Sequence, residues 1–473
     1  MIDRKDFHRQ AGAITDWIQQ YFNRLENLPV KSQVAPGAIY RALPEQMPAS
    51  GEALETILQD LGRIILPGMT HWQHPNFHGY FPANSSVESV YAEMITAAMG
   101  AQCMIWETSP AAAELEERMM EWLQRAMGIP ESWEGAIQDT ASSATLVAIL
   151  TAREKVTNFQ ANETGVPPNL RVYCSTQTHS SIEKAVKIAG IGRRNLIKIP
   201  VDHQLCMRPA DLEAQITQDI AEGYLPCCVV TAVGTTGTVA VDPIAEISGI
   251  CARHQVWHHI DAAYAGSALI LPEYQWMIKG IEQADSFVFN PHKWLFTNFD
   301  CTAYYVKDAD LLVRTFDILP EYLKTRTRGQ VNDYRDWGIP LGRRFRALKL
   351  WFVMRSFGLK GLQERLRYHV ALNAKFAEWV KASNDFELLL PPFLNFTCFR
   401  YRPQGASESA LNTLNQELLE RVNSSGALFL THTKIGDQYV LRMVIGQTYV
   451  EARHVEEAWA NLQEAVRATS KPN

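Results

Sequence analysis

The sequence predicts an α/β protein with a mainly parallel central sheet, covered by helices on both faces and followed by a small α+β domain. Between about residues 87 and 345, short β-rich runs alternate with helical stretches. These runs are almost continuously apolar, which is typical of strands that are buried on both faces of a parallel sheet. The length of 473 residues is also too great for one small core.

Three segments are predicted along the chain. Residues 1–86 are expected to form an N-terminal helical segment, because apolar side chains recur at helical spacing between Trp17 and Leu25. Residues 87–345 are expected to form the large α/β domain. Residues 346–473 are expected to form the small α+β domain, since helical stretches there flank two strand-like runs, NFTCFRYR and YVLRMVIG.

Composition and charge argue against several classes of protein. A net charge of -6 and a pI near 6.1 disfavour binding to nucleic acid, which requires a basic surface. No run of 18 apolar residues exists and no secretion signal is recognisable, so neither a membrane span nor export is expected. The eight cysteines form no C-x-x-C pair and are expected to be reduced thiols of a cytoplasmic enzyme. His71 and His74 lack accompanying cysteine or carboxylate ligands, so no metal site is predicted.

Ligands of parallel sheets bind at the carboxyl ends of the strands, so functional residues are expected directly after the predicted strands. The strand-like runs of the large domain are RVYCS (171–175), CCVVTAV (227–233), VWHHI (256–260), SFVFN (286–290) and TAYYV (302–306).

Lys293 follows one of these runs, within NPHKWLF. Apolar neighbours would desolvate this lysine and lower its pKa, which makes a neutral amine available for a Schiff base with an aldehyde cofactor. The alternative is an ordinary loop lysine. Asp261 follows VWHHI, where its carboxylate could pair with a protonated pyridine nitrogen, and the small Ala263 would admit a flat ring. The alternative for Asp261 is a helix N-cap.

Three further segments have weaker signals. Ala141 and Ser142 open an apolar helix whose N-terminus could bind a phosphate, although an ordinary Ser/Thr cap is the better explanation of this segment taken alone. His179 follows a strand and could stack on an aromatic cofactor, or be a loop histidine with no ligand. Thr236, in VGTTGT, could hydrogen-bond to the cofactor or simply belong to a turn.

The sequence resembles the group II pyridoxal-phosphate-dependent decarboxylases, and most closely the aromatic-L-amino-acid decarboxylase family. The resemblance covers nearly the whole chain, and the NPHKW block with the upstream DAAYAG block is highly specific to this family. Other matching segments are THWQHPNFHGYFPA (70–83), ETSPAAAELEERMMEWL (107–123) and DWGIPLGRRFRALKLWFVMRSFG (336–358). The resemblance implies the fold-type I (aspartate-aminotransferase-like) architecture, bound pyridoxal 5'-phosphate, and a homodimer with active sites at its interface and N-terminal helices packed across it.

Individual roles are implied by the same resemblance. Lys293 matches the lysine that carries the cofactor covalently, Asp261 the carboxylate at the pyridine nitrogen, and His179 the histidine stacked on the ring. Further cofactor contacts are implied for Ala141, Ser142, Thr236, Asn290 and His292. Tyr322, in DILPEYLKTRTRGQ (317–330), matches the catalytic tyrosine of a loop over the active site, where a phenol can act as a general acid.

The implied reaction converts an aromatic L-amino acid, of the tryptophan, 5-hydroxytryptophan, dihydroxyphenylalanine or tyrosine type, to its arylethylamine and carbon dioxide. Tyr80, Phe81 and Pro82 match residues that line the aromatic pocket. Gly342 stands where plant relatives have glycine if their substrates are indoles and serine if their substrates are phenols. Glycine leaves more volume for an indole, but the animal enzyme also has glycine and accepts dihydroxyphenylalanine, so phenolic substrates are not excluded. The stretch from Gln102 to Met104 departs from its more apolar counterparts, which in this family reach the partner's pocket.

Three alternatives remain. An aldehyde synthase on the same fold tends to replace the loop tyrosine or the stacked histidine, and both Tyr322 and His179 are retained here. A group II decarboxylase for a polar amino acid would need polar pocket contacts that the YFP segment does not offer. A non-catalytic protein of this fold is disfavoured because Lys293 and Asp261 are also retained.

Overall fold

The structure, a computed structural model, describes residues 6–318 and 330–469. The α-helices in these residues are α1 Phe7–Arg24, α2 Ala38–Ala42, α3 Leu54–Asp60, α4 Val87–Met99, α5 Pro110–Met127, α6 Ala141–Val156, α7 Gln160–Thr164, α8 Ser181–Ile188, α9 Pro209–Ala221, α10 Ile244–His254, α11 Pro291–Trp294, α12 Ala309–Phe316, α13 Arg346–Ala382, α14 Glu408–Ser424 and α15 Ala452–Thr469. The strands are β1 Glu134–Gln138, β2 Leu170–Ser175, β3 Leu196–Ile199, β4 Leu225–Ala232, β5 Trp257–Asp261, β6 Ser286–Phe289, β7 Thr302–Val306, β8 Phe386–Leu388, β9 Phe396–Tyr401, β10 Thr431–Ile435 and β11 Gln438–Val444.

The large sheet contains seven strands in the order β1-β7-β6-β5-β4-β2-β3. The pairs from β6 through β5, β4 and β2 to β3 are parallel, while β7 runs antiparallel to both of its neighbours. The predicted α/β class with a mainly parallel central sheet is therefore confirmed. The five predicted strands of this sheet all form, because each is an apolar run whose side chains are buried on both faces.

Strand β5 carries two adjacent histidines through the centre of the sheet. The ring of His258 is hydrogen-bonded to the hydroxyls of Thr231 (2.8 Å) and Ser248 (2.9 Å). The ring of His259 is bonded to Thr145 (3.1 Å) and to Ser286 (2.9 Å). Burial lowers the pKa of each imidazole to about 3, so both rings are neutral and their polar atoms are satisfied by hydroxyl groups.

The chain divides into two compact units. One comprises Ala83–Tyr368 and contains the seven-stranded sheet. The other comprises Met1–Pro82 with His369–Asn473 and contains an antiparallel sheet in the order β10-β11-β9-β8. The division at residues 86 and 345 that the sequence predicts is retained as our proposal for the functional domains.

Helix α13 shows why a glycine is needed at one internal position. Gly358 has φ 64° and ψ 166°, so the chain breaks its helical path there, at a φ that residues with a Cβ rarely adopt.

No helix among the residues with described positions is long and apolar enough to cross a bilayer.

Candidate active site

The carboxyl ends of five strands meet along one edge of the large sheet. Strands β2, β4, β5 and β6 are mutually parallel, and β1 shares their direction because β7 is antiparallel to both β1 and β6. Each strand is followed at this edge by a segment in which the sequence predicted a functional residue, namely Ala141 and Ser142 after β1, His179 after β2, Thr236 after β4, Asp261 at the end of β5 and Lys293 after β6.

Lys293 lies in α11, a single helical turn that follows β6 directly. Pro291 occupies the first helical position, where its missing N–H costs nothing, and the Lys293 N–H donates to the carbonyl of Asn290 (2.9 Å). Burial lowers the pKa of the half-buried Lys293 amine, and the nearby Asp261 carboxylate opposes this shift. A larger fraction of the amine is therefore neutral and nucleophilic than in a solvated lysine.

Asp261 is the last residue of β5. One of its carboxylate oxygens accepts the backbone N–H of Ala263 (3.0 Å), which fixes the carboxylate at the start of the turn. Burial raises the pKa of Asp261, whereas the Ala263 N–H and the charges of Lys293 and His179 oppose the rise. A cationic partner would relieve the cost of this buried charge, which is the environment that a protonated pyridine nitrogen requires.

His179 lies in the turn between β2 and α8. Its Nδ1 accepts the backbone N–H of Ser181 (3.1 Å) and contacts the hydroxyl of the same residue (2.8 Å), so the proton of the neutral ring is on Nε2. Partial burial and the charge of Lys293 hold the pKa of His179 below its usual range, while Asp261 opposes them. The three side chains thus act electrostatically on one another, although 114 residues separate His179 from Lys293 (293 − 179).

Helix α6 presents its N-terminus at the same edge. The Thr140 side chain caps the helix by accepting the N–H of Ser143 (3.3 Å). Within the described part of the chain, the N–H groups of Ala141 and Ser142 make no hydrogen bond. Two unsatisfied donors at the positive end of a 16-residue helix form a suitable seat for a phosphate.

The turn after β4 packs closely against the segment that follows β5. Gly234 has φ +87°, and a Cβ at this position would lie 2.6 Å from the Cβ of Ala265. Only glycine fits this close approach, which leaves the exposed Thr236 at the end of the turn.

Asn290 and His292 have partners within the protein. The Asn290 side-chain oxygen accepts the hydroxyl of Thr302 (2.8 Å), and Nδ1 of His292 accepts the N–H of Cys301 (3.0 Å). Burial lowers the pKa of His292 to about 3. Both side chains therefore brace the segment that carries Lys293, and their direct contact with a cofactor stays a prediction.

Asn84 is a site residue that the sequence did not reveal. Its fully buried side chain donates to the carbonyl of Lys293 (2.8 Å), and its backbone N–H donates to the carbonyl of His292 (2.9 Å). Through these two bonds, a residue distant in the sequence holds α11 in place. The sequence did not reveal Asn84 because it lies in a polar run before α4, where such residues usually cap the helix. Ser86 forms that cap together with Ser89.

The residues predicted to bind the substrate lie in different parts of the structure. Tyr80, Phe81 and Pro82 belong to the unit with the small sheet, where the Tyr80 ring stacks on Trp72 at 5.7 Å. Met104 and Gly342 belong to the unit with the large sheet. Tyr322, the predicted proton donor, lies outside the described residues. Among the residues that are described, no group of three or more histidine, cysteine or acidic side chains is arranged to hold a metal ion.

A half-buried amine, a facing carboxylate and a helix N-terminus at one edge of a mainly parallel sheet define a pyridoxal-phosphate enzyme of fold type I. The chain belongs to the pyridoxal-dependent decarboxylase family, because the family's conserved domain, "Pyridoxal-dependent decarboxylase conserved domain", matches residues 36–402. The protein is therefore a carboxy-lyase that depends on pyridoxal 5'-phosphate.

The similarity to individual proteins extends over almost the whole chain. Phenylacetaldehyde synthase from Arabidopsis thaliana is 41% identical, over 98% of this chain and 96% of the relative. Tyrosine decarboxylase 2 from Narcissus pseudonarcissus is 40% identical, over 98% of this chain and 94% of the relative. Among solved structures, Oryza sativa TDC with PLP and tryptamine superposes with a TM-score of 0.96 at 35% identity, and the match covers 99% of each chain.

The residues present fit the cofactor. Lys293 supplies the amine for its aldehyde, Asp261 supplies a negative charge for its ring nitrogen, and the free N–H groups at the start of α6 suit its phosphate. His179 is accessible to solvent, and Ala263 has only a methyl group as its side chain, so neither fills the space that a flat ring would need.

Proposed function

We propose that this protein decarboxylates an aromatic L-amino acid to the corresponding arylethylamine. The amino acid and one proton become carbon dioxide and the amine. The observation that carries the proposal is the cluster of Lys293, Asp261 and His179 at one sheet edge, in a chain 40% identical to a tyrosine decarboxylase. The similarity to a protein solved with tryptamine supports an aromatic side chain as well.

The bound pyridoxal phosphate supplies the electron sink for the bond to the carboxylate. Lys293 would hold the cofactor, and its amine would be available to exchange with the amino groups of the substrate and of the product. Asp261 would keep a proton on the cofactor's ring nitrogen, which is the charge state in which the ring serves as an electron sink. His179 orients the ring, and Tyr322 delivers the proton to the substrate's α-carbon.

We propose that Tyr80, Phe81 and Pro82, with Met104 and Gly342, line the pocket for the aromatic side chain. Phe81 is buried and lies beneath the guanidinium of Arg442 at 5.3 Å, while Tyr80 is 53% exposed. Polar substrates such as glutamate would lose their hydration against these surfaces without gaining partners.

The test of this function is a product analysis. Purified protein with pyridoxal phosphate is given tryptophan, 5-hydroxytryptophan, tyrosine, dihydroxyphenylalanine, phenylalanine and glutamate separately, and amine, aldehyde and peroxide are quantified. Amine from the aromatic set alone is the expected result. Amine from glutamate alone would refute the proposed pocket.

The second function to test is that of an aldehyde synthase, because one relative, 41% identical, is a phenylacetaldehyde synthase. That reaction consumes the amino acid, dioxygen and water, and releases aldehyde, carbon dioxide, ammonia and hydrogen peroxide. Both routes share the loss of carbon dioxide and differ in whether the α-carbon is then protonated or oxidised. The retained Tyr322 favours protonation.

Replacing Tyr322 by phenylalanine is predicted to divert the reaction. Amine formation should fall by about 10²-fold, the contribution typical of a positioned general acid, and aldehyde with peroxide should appear in its place. The control is Tyr91→Phe, which removes a hydroxyl from a 56% exposed tyrosine and should leave products and rates unchanged. A Tyr322→Phe protein that makes amine at the wild-type rate would disprove the proton-donor role.

We propose further that the protein is a homodimer with its active site at the interface, and that it works in the cytoplasm. Helix α1 is amphipathic yet buries none of its residues, and Phe7, Tyr40 and Met47 are 66, 83 and 91% exposed. A second copy would cover this apolar surface. Light scattering should give a mass of about twice 53.4 kDa, and a monomer would refute the dimer.

The cysteines support the proposed location in the cytoplasm. All eight are free, and seven of them are buried, as is typical of proteins in a reducing compartment.

A further inference from the structure

The segment after α4 and the loop before α13 are joined by two hydrogen bonds. The N–H of Cys103 donates to the carbonyl of Arg343 (3.0 Å), and the N–H of Arg343 donates to Oε1 of Gln102 (2.8 Å). The buried Arg343 guanidinium is fixed in turn by Glu116 (2.7 Å) and by the carbonyl of Ile137 (2.5 Å). The Gln102 side chain is therefore held at a defined place beside Gly342.

The orientation of the Gln102 amide follows from this bonding. The Arg343 N–H is a donor, so the amide oxygen must face it and the NH₂ group must face away. Nε2 lies 3.2 Å from the position that a Cβ on Gly342 would occupy. Neither N–H of this group has a hydrogen-bond partner in the described part of the chain, and the side chain is exposed.

The space beside Gly342, which the proposed function assigns to the ring pocket, is therefore smaller than glycine alone implies. Glycine removes a side chain, but the Gln102 amide occupies part of the space that this frees. The amide also brings two hydrogen-bond donors to the place where a serine would have brought one hydroxyl. An oxygen on a substrate ring that reaches Gly342 would find a donor already positioned to bind it.

We propose that Gln102 is a specificity-determining residue that selects aromatic amino acids with an oxygen on the ring, such as phenols and hydroxyindoles. The proposal rests on the proposed function, which assigns Gly342 to the ring pocket. A site that donates a hydrogen bond to a ring oxygen discriminates against the analogue that lacks it, because that analogue leaves the donor unpaired. A net gain typical of one hydrogen bond corresponds to a preference of about fivefold to tenfold.

The experiment compares kcat/KM for tyrosine, O-methyltyrosine and phenylalanine in wild type and two variants. Gln102→Glu keeps an oxygen for the Arg343 N–H and cannot donate, so the ratio of O-methyltyrosine to phenylalanine should fall about fivefold to tenfold. Tyrosine should fall less in Gln102→Glu, because its hydroxyl can donate to the carboxylate. Gln102→Met removes both functions and should lower the ratio for both oxygenated rings.

The matched control is Thr108→Val. The Thr108 hydroxyl donates to the carbonyl of Gln102 (3.0 Å), so this variant disturbs the same segment without touching the amide. Its substrate ratios should equal those of wild type. An altered ratio in this control that equals the change in Gln102→Glu would assign the effect to the backbone and overturn the proposal.

An equilibrium measurement gives a second readout that does not depend on turnover. Tyramine should bind the wild-type holoenzyme about fivefold to tenfold more tightly than phenethylamine, and the two amines should bind Gln102→Met equally. Unchanged ratios in both variants, with amine still produced from all three substrates, would refute the role of Gln102 alone. Absence of amine from every aromatic substrate in wild type would instead refute the proposed function.

Discussion

Replacing Lys293 by alanine is expected to abolish decarboxylation, with a fall in kcat of at least about 10⁴-fold, the scale seen when a residue that acts covalently is removed. Among the residues that the structure describes, Lys293 is the one lysine whose charge acts on both Asp261 and His179. The variant should also lose the visible absorption band that reports covalent attachment of the cofactor to the protein. Stopped assays for amine and a spectrum of the gel-filtered protein measure the two effects.

The matched control for this prediction is Lys360→Ala. Lys360 is 90% exposed on α13, and its ion pair with Glu364 is a surface pair of 3.8 Å that contributes little to stability. Rate and spectrum should both be unchanged. A Lys293→Ala protein that keeps more than about a hundredth of the wild-type rate would show that another group binds the cofactor.

The lowered pKa of Lys293 has a consequence for reconstitution. A free lysine has a pKa of about 10.4, and only its neutral form attacks an aldehyde. Because burial lowers the pKa of Lys293, the neutral form persists to a lower pH than in a solvated lysine. The rate at which the apoprotein binds pyridoxal phosphate should therefore fall off at lower pH than the reaction of a solvent-exposed lysine with the same aldehyde.

The sequence predicted the parts of the fold that depend on local pattern. Runs such as CCVVTAV are apolar at every position except Thr231, and such a pattern is typical of a strand buried between two helical layers. Strand β10 was not predicted, because its residues, THTKI, alternate in exposure at the edge of the small sheet and carry little apolar signal. Its pairing with β11 is decided by the neighbouring strand rather than by its own composition.

The residues of the candidate site likewise fall into those that the sequence indicates and those that only the structure shows. Lys293, Asp261 and His179 were predicted to lie close together because each stands at or after the end of a strand, and the topology of a parallel sheet brings such segments to one edge, while their roles stay predictions. Asn84 could not be predicted, because its role depends on a partner 209 residues away and nothing local distinguishes it from an ordinary polar residue beside a helix. The stretch from Gln102 to Met104 stood out only as less apolar than its counterparts, and the sequence did not reveal that the Arg343 N–H, 241 residues away, donates to the Gln102 side chain. Only the folded chain shows which carbonyl or N–H each one meets.

Replacing Asp261 by asparagine is expected to lower kcat by about 10²- to 10⁴-fold while the cofactor stays bound. Asparagine can still accept the Ala263 N–H, so the turn after β5 should form as in the wild type. It cannot supply the negative charge that stabilises a protonated ring nitrogen. Removing one partner of a buried ion pair costs about 3–5 kcal/mol, which corresponds to this range of rates.

Two further measurements separate this electrostatic role from a structural one. Asp261 raises the pKa of Lys293, so Asp261→Asn should lower the pKa of Lys293 further and shift the pH dependence of cofactor binding to still lower values. Asp261→Glu keeps the charge at a displaced position and should recover part of the lost rate. The control is Asp60→Asn, which removes a carboxylate that is 43% exposed and paired with Arg63, and it should change neither property. An Asp261→Asn protein with near wild-type kcat would mean that the ring nitrogen does not need this carboxylate, and the electron sink would then require a different partner.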